Sequence, residues 1–211
     1  TTPVGEIRTV HLADGSMAVM DSHTALSVRY TASERRIVLI GGEAYFTVAP
    51  VTVDERRPFV VESAGGTSTA LGTEFMVARE GTGVDTTVTE HSVRVATRDV
   101  GTLHRSVIVE EGQSVHYGRD GTLGTPVSVP AASMTAWRNG QLVFDNATLS
   151  DVIGRLNHYR GGRIMLMSSG LGARRVSGVF SCTDTDGAVM AITRQLALRS
   201  VSVGGLATVI Y

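Results

Sequence analysis

The 211-residue sequence contains no lysine, one cysteine and few aromatic residues, which make up 5% of the chain. All 19 basic residues are therefore arginines, which we attribute to genome composition more than to function. With Cys182 alone, no disulfide can form within the chain. No stretch approaches the roughly 20 apolar residues that a membrane-spanning helix needs. The sequence therefore predicts a chain that has no internal disulfide and does not itself cross a membrane.

Motifs that carry chemistry are also missing. The histidines are far apart and lack metal-ligand spacing, and there is no Walker loop or Gly-x-Ser-x-Gly elbow. Asp184 and Asp186 stand before a predicted helix, where capping explains them better than a cation does. Nucleic-acid binding would need a basic stripe with interleaved aromatics, and the arginines are dispersed. We therefore predict no catalytic, cofactor-binding or metal-binding residues, no enzyme activity and no nucleic-acid partner.

What the sequence does contain is enough apolar material for a core and an uneven charge. Hydrophobic residues make up 42% and the mean hydropathy is +0.11, as in a globular chain of one or two domains. Residues 1–136 hold 11 arginines and 16 acidic residues, whereas residues 137–211 hold eight arginines and four acidic residues. The net charges are −5 and +4, so the C-terminal part is suited to an acidic partner.

Residues 1–130 are predicted to be all-β and solenoid- or sandwich-like. Short alternating segments recur at steps of roughly 8–12 residues, separated by glycine-containing turns, and helical periodicity is absent. Two segments, 38–48 and 107–117, share a strand–turn–strand outline, which would suit stacked repeats. Residues 122–136 contain two prolines and many small residues, so we place the end of a linker at 131–136.

The pattern changes at Trp137. Leu149, Val152, Ile153 and Leu156 form one helical stripe, Thr148-x-x-Asp151 resembles a capping box, and Gly161-Gly162 is predicted to end the helix. A strand lies on either side of this helix. A third strand, a second helix and a closing hairpin follow. Residues 137–211 are therefore predicted to be a small βαβ–βαββ domain.

Four pieces of the first part form a recognisable pattern: Gly5-Glu6 with Val10-His-Leu-Ala-Asp-Gly-Ser16, then Arg36 to Ala49, Phe59-Val-Val-Glu62 and Ala70 to Val77. Through these pieces the chain resembles the FecR family of sigma-factor regulators. The C-terminal part resembles the secretin and TonB short N-terminal (STN) domain through Phe144-Asp-Asn-Ala-Thr-Leu149, Leu156-Asn-His-Tyr159 and Val176-Ser-Gly-Val-Phe180. The family usually has a Glu-Gly turn before a late strand, and this chain has Glu90-His91-Ser92 there.

The resemblance implies cell-surface signalling in the periplasm. Such regulators cross the inner membrane once and bind an iron-starvation-type sigma factor through a cytoplasmic domain that this chain lacks. The family resemblance implies that the short C-terminal domain docks the N-terminal signalling domain of a TonB-dependent outer-membrane transporter. The start at Thr1, without an initiator methionine, is consistent with a piece of a longer protein.

The partner surface and two alternatives follow from the residues. Arg163, Arg174 and Arg175 flank predicted strand starts and are our candidates for partner binding, although charges on edge strands commonly serve solubility alone. One alternative is a periplasmic carbohydrate-active enzyme, which would need paired carboxylates, with Glu43, Glu74 and Glu90 as candidates by residue type. The other is an assembly domain of a secretin-like channel.

Overall fold

The computed structural model describes residues 1–97 and 105–211 and divides into two compact units. The first unit holds residues 1–2 and 7–135, and the second holds residues 3–6 and 136–211. Nothing in the sequence pattern indicated that residues 3–6 belong with the C-terminal unit. No described helix combines the length and the apolar character needed to cross a membrane.

The first unit is mostly β, as the sequence predicted. Its described strands are β1 (Arg8–His11), β2 (Met17–Met20), β3 (Ala25–Tyr30), β4 (Arg35–Thr47), β5 (Phe59–Ser63), β6 (Gly66–Ala70), β7 (Glu74–Glu80), β8 (Gly83–Glu90), β9 (Ser92–Thr97), β10 (Arg105–Glu110), β11 (Gln113–Gly118) and β12 (Val127–Ser128). The predicted linker is not simply extended, because it contains β12, paired with β11, and a short helix α1 (Ala131–Met134).

These twelve strands form one curled sheet with two halves that share β4. The N-terminal part of β4 pairs with β3 and β5, and its C-terminal part pairs with β2 and β7. The sequence pattern indicated a break at Gly41-Gly42, but β4 runs through both glycines as one strand. Among the described residues, all strand pairs in this sheet are antiparallel except β4 with β5. The architecture is therefore a single curled sheet and not a stack of repeated coils.

The chain passes from one half of the sheet to the other at residues with positive φ. Gly42 (φ 82°) lies inside β4, His91 (φ 61°) joins β8 to β9, and Gly112 (φ 75°) joins β10 to β11. The similarity between segments 38–48 and 107–117 therefore reflects two crossings of the same kind. His91 adopts the left-handed conformation that a glycine takes without strain. The register of β9 against β10 is regular, so the missing glycine does not disturb the strand that follows.

The core of the first unit lies between the two halves of the sheet. Phe46 contacts both Phe59 and Phe75, with ring centroids 5.7 and 5.5 Å apart. No sequence pattern indicated β6, because the segment Gly-Thr-Ser-Thr-Ala lacks large apolar residues. Tyr117 explains the glycine at the start of β6, since a Cβ on Gly66 would lie 2.4 Å from its ring. The aromatic ring thus fills the space that a side chain at position 66 would take.

The second unit has the element order that the sequence predicted, strand–helix–strand followed by strand–helix–strand–strand. Its elements are a 3-10 helix (Ala136–Asn139), β13 (Gln141–Thr148), α2 (Leu149–Asn157), β14 (Arg163–Leu166), α3 (Ser169–Gly172), β15 (Arg175–Ser181), α4 (Thr185–Gln195), β16 (Ser200–Val203) and β17 (Ala207–Ile210). The strands form two sheets, a β13–β15 antiparallel pair and a three-stranded sheet in the order β14–β17–β16.

Helix α2 begins where the sequence predicted and ends earlier. The Thr148 side chain accepts the Asp151 N–H at 3.1 Å, which is the expected N-terminal cap, and the apolar stripe is buried. The helix ends at Asn157, before Gly161-Gly162, and the N–H groups of His158 and Tyr159 donate to carbonyls three residues earlier. The Asn157 side chain bonds to β14. Its amide accepts the Ile164 N–H at 2.7 Å and donates to the Ile164 carbonyl at 3.0 Å.

Candidate functional site

The three-stranded sheet of the second unit has one covered and one open face. Side chains alternate across a strand, so Ile164, Thr208 and Ile210 are buried on the face that α2 and α4 contact. The residues that alternate with these buried ones along the strands form the outer face. In this register Met165 lies beside Val209, and Val209 beside Val201.

The outer face is apolar and exposed. Val201 is 49% and Val203 is 64% exposed, and further exposed apolar side chains lie on this face or at its turn. They are Met165, Met167, Leu206 and Tyr211. Scattered exposed apolar residues are ordinary, but a contiguous group of this kind is typical of a surface that contacts another protein.

The structure places the three predicted arginines on two different sheets. Arg163 begins β14 and lies on the outer face, whereas Arg174 and Arg175 lie at the start of β15 in the β13–β15 pair. All three are exposed. Arg175 donates through Nη1 to the Asn146 carbonyl at 2.9 Å, so its position is fixed by its own sheet. The assignment of these residues to partner binding stays a prediction.

Arg199 is a fourth exposed arginine that the sequence interpretation missed. It directly precedes β16, and its backbone exchanges two 2.9 Å hydrogen bonds with Tyr211, so it continues the β16–β17 ladder. Like the predicted arginines, Arg199 stands at the start of an alternating segment, Ser-Val-Ser-Val. This pattern could have identified it from the sequence. Arg163 and Arg199 thus lie at opposite ends of the outer face.

The acidic residues of the C-terminal unit lie elsewhere. Asp184 accepts the Gly187 N–H at 2.8 Å and caps α4, as the sequence predicted, and Asp151 lies in the first turn of α2. Asp145 is on β13, and Asp186 lies 3.0 Å from Arg160. Since the strands β14, β16 and β17 contain no acidic residue, the outer face has a positive charge.

The carboxylates of the enzyme alternative have structural surroundings. Glu74 accepts hydrogen bonds from the Tyr45 hydroxyl at 2.6 Å and from Thr47 Oγ1 at 3.2 Å. Glu43 is buried on β4, and Glu90 is exposed at the end of β8. The described residues also hold no group of three histidine, cysteine, aspartate or glutamate side chains placed to bind a metal ion. The surroundings of these three glutamates therefore favour structural roles over a catalytic carboxylate pair.

The first unit contains a buried ion pair that organises its polar interior. Arg35 donates through Nη1 to Asp14 at 2.8 Å, and both side chains are fully buried. Asp14 also accepts the hydroxyl groups of Ser16 and Tyr30, each at 2.7 Å. Burial by itself raises the pKa of Asp14, but the hydrogen bonds from Ser16, Tyr30 and Arg35 outweigh it, so the pKa lies below its ordinary value. The two charged side chains of this cluster are closed to solvent.

Comparisons with known proteins concern the family of the first unit and the fold of the whole chain. The family model for FecR protein matches residues 1–94. Two crystal structures of a proposed anti-sigma factor from Parabacteroides distasonis ATCC 8503 have the same fold as this chain, each at 22% identity and over 100% of its length. Their TM-scores are 0.80 and 0.78, and 97% and 96% of those chains are covered. No curated protein sequence matches the chain. The first unit is thus similar to FecR, and the whole chain shares the fold of the crystallised protein.

Proposed function

We propose that this chain is the signalling region of a FecR-type regulator of a sigma factor. The observation that carries the proposal is the agreement of two comparisons, the FecR match over residues 1–94 and the fold shared with a proposed anti-sigma factor along the whole chain. The open, apolar and basic sheet of the second unit supports a role in binding a protein. No arrangement of side chains described above favours catalysis.

The more specific part of the proposal concerns location and partner. The chain works in the periplasm as part of a protein that crosses the inner membrane once, and the second unit serves as an STN-type docking domain. It binds the N-terminal signalling domain of a TonB-dependent outer-membrane transporter, and the parent protein then controls an iron-starvation-type sigma factor. The βαβ–βαββ element order and the positive charge of residues 137–211 support docking of an acidic domain.

The test is a titration of the whole chain with isolated signalling domains of the TonB-dependent transporters encoded in the same genome. We expect one domain to bind in isothermal titration calorimetry. The affinity should fall as salt is raised from low to physiological concentration, because charge attraction across an exposed interface is screened over about 8–10 Å.

Charge-reversal variants locate the surface. Replacing Arg163, Arg174 and Arg175 together by glutamate should weaken binding at least tenfold, mostly through slower association. The matched control replaces three exposed arginines of the first unit, Arg29, Arg94 and Arg119, and should leave the affinity unchanged. Equal losses in the two triple variants would show that net charge alone matters, and binding by none of the transporter domains would contradict the proposed partner.

A further inference from the structure

The strand β16 presents an open backbone edge. It is the last strand of the β14–β17–β16 sheet, and all four of its residues are exposed. The reciprocal hydrogen bonds between Arg199 and Tyr211 fix the phase of the antiparallel ladder. Hydrogen-bonded and non-hydrogen-bonded pairs alternate along such a ladder, so the N–H and C=O groups of Ser200 and Ser202 point away from β17. These groups are available to a further strand.

The opposite edge of the same sheet is protected at Ile164. In β14, Arg163 donates its N–H to Leu206, so the alternate residue Ile164 directs its backbone groups outward. Both of these groups are bonded by the side-chain amide of Asn157, at 2.7 and 3.0 Å. Proteins commonly protect edge strands in such ways against pairing with other chains. One edge is therefore protected and the other is not.

The outer face next to the open edge indicates which segment would pair there. A segment placed beside β16 would extend the outer face, where Val201 and Val203 offer apolar contact and Arg163 and Arg199 offer positive charge. An extended segment with apolar and acidic residues would match both features. A second copy of the chain matches less well, because it would bring another basic face to the same edge.

We infer that β16 is a docking edge that takes up an extended, acidic segment of a partner protein as the fourth strand of the sheet. This inference rests on the proposed docking function and adds its mode, which is strand addition through main-chain hydrogen bonds. The inference also places the partner-binding surface at Ser200, Ser202 and the outer face. Arg174 and Arg175 then contribute only to long-range attraction.

Proline at position 200 separates strand addition from other kinds of contact. Ser200 directs its N–H outward, so Ser200→Pro removes a donor from the open edge without removing a hydrogen bond to β17. Ser200→Ala removes the same side chain and keeps the N–H, and it is the matched control. Circular dichroism and the fluorescence of Trp137, which belongs to the second unit, show whether both variants keep the fold.

The probe is a synthetic peptide with a valine–threonine centre flanked by glutamates, compared with the same peptide in which lysines replace the glutamates. We expect the acidic peptide to shift the amide NMR signals of Ser200 and Ser202 and to slow their hydrogen exchange. Binding should weaken about tenfold with Ser200→Pro, roughly the contribution of one hydrogen bond, and stay unchanged with Ser200→Ala. The basic peptide should bind less well.

Three results would overturn the inference. They are peptide shifts confined to the β13–β15 pair, equal binding by both serine variants, and self-association of the free chain that Ser200→Pro abolishes, which would make a second copy the occupant. A transporter domain that binds equally well to both variants would leave the proposed function standing and exclude β16. A peptide that binds at β16 when no transporter domain binds would support β16 as a docking edge and contradict the proposed partner.

Discussion

Asp14→Ala tests whether the buried ion pair is essential to the first unit. The substitution leaves the Arg35 guanidinium fully buried without its counter-charge and removes the acceptor of the Ser16 and Tyr30 hydroxyl groups. Breaking one side of a buried pair typically costs about 3–5 kcal/mol. Since domains are stable by only about 5–15 kcal/mol, we expect the melting temperature of this unit to fall by about 10 °C or more.

The control lies directly before β4. Glu34 bonds to Arg36, the residue after Arg35, but both of these side chains are about one quarter exposed. Glu34→Ala should therefore cost less than about 1 kcal/mol, as exposed pairs do. Urea unfolding followed by circular dichroism measures both costs, and the fluorescence of Trp137 reports the second unit separately in the same samples.

A double variant checks the assignment of the cost. If Asp14 acts through Arg35, the cost of Asp14→Ala combined with Arg35→Leu will be clearly smaller than the sum of the two single costs. The reasoning is refuted if Asp14→Ala is no more destabilising than Glu34→Ala, or if the costs of the two single variants simply add.

Two further predictions concern the crossing in β4 and the acid limb of stability. Gly42→Ala should cost about 2 kcal/mol or more in urea unfolding, because φ is +82° and the new Cβ would lie 2.4 Å from Thr24 Oγ1. Gly41→Ala, with open space at its Cβ, should change stability by less than about 1 kcal/mol. Similar costs for the two variants would contradict the predicted backbone strain at position 42. Because the folded pKa of Asp14 is below the unfolded value of about 3.9, its ionised form stabilises the fold above that value, and this stability is lost as the pH falls through the folded pKa. In Asp14→Asn the free energy of unfolding should therefore fall less steeply with decreasing pH below about pH 4. Equal pH dependence in the variant and the parent would exclude this contribution.

Local sequence predicted the elements whose interactions are local. Helix α2 follows from one apolar stripe and one capping threonine, and the caps of both long helices are formed as expected. The alternation of the first part predicted β structure because a half-buried strand has a period of two. The charge difference between the two parts needs only a count of residues. Such features lie within a few residues of one another, so the sequence displays them directly.

Features that depend on distant residues were not predictable. β6 begins with Gly66 because Tyr117, about fifty positions later, occupies the space that a side chain there would take. Likewise, Arg35 is an ordinary polar position of an alternating strand until the fold brings Asp14 to it. Neither residue carries a local signal of its partner, since the contact exists only in the curled sheet.

The candidate site shows the same division. The sequence by itself determined that the second unit is a small α/β unit with excess arginine, and it selected Arg163 at a strand start. Only the tertiary structure decided that Arg163 and Arg199 belong to one sheet face, that Asn157 protects the β14 edge and that β16 is open. The physical reason is that side-chain chemistry and periodicity are local properties, whereas the neighbours of a strand are set by hydrogen bonds between segments far apart in the chain.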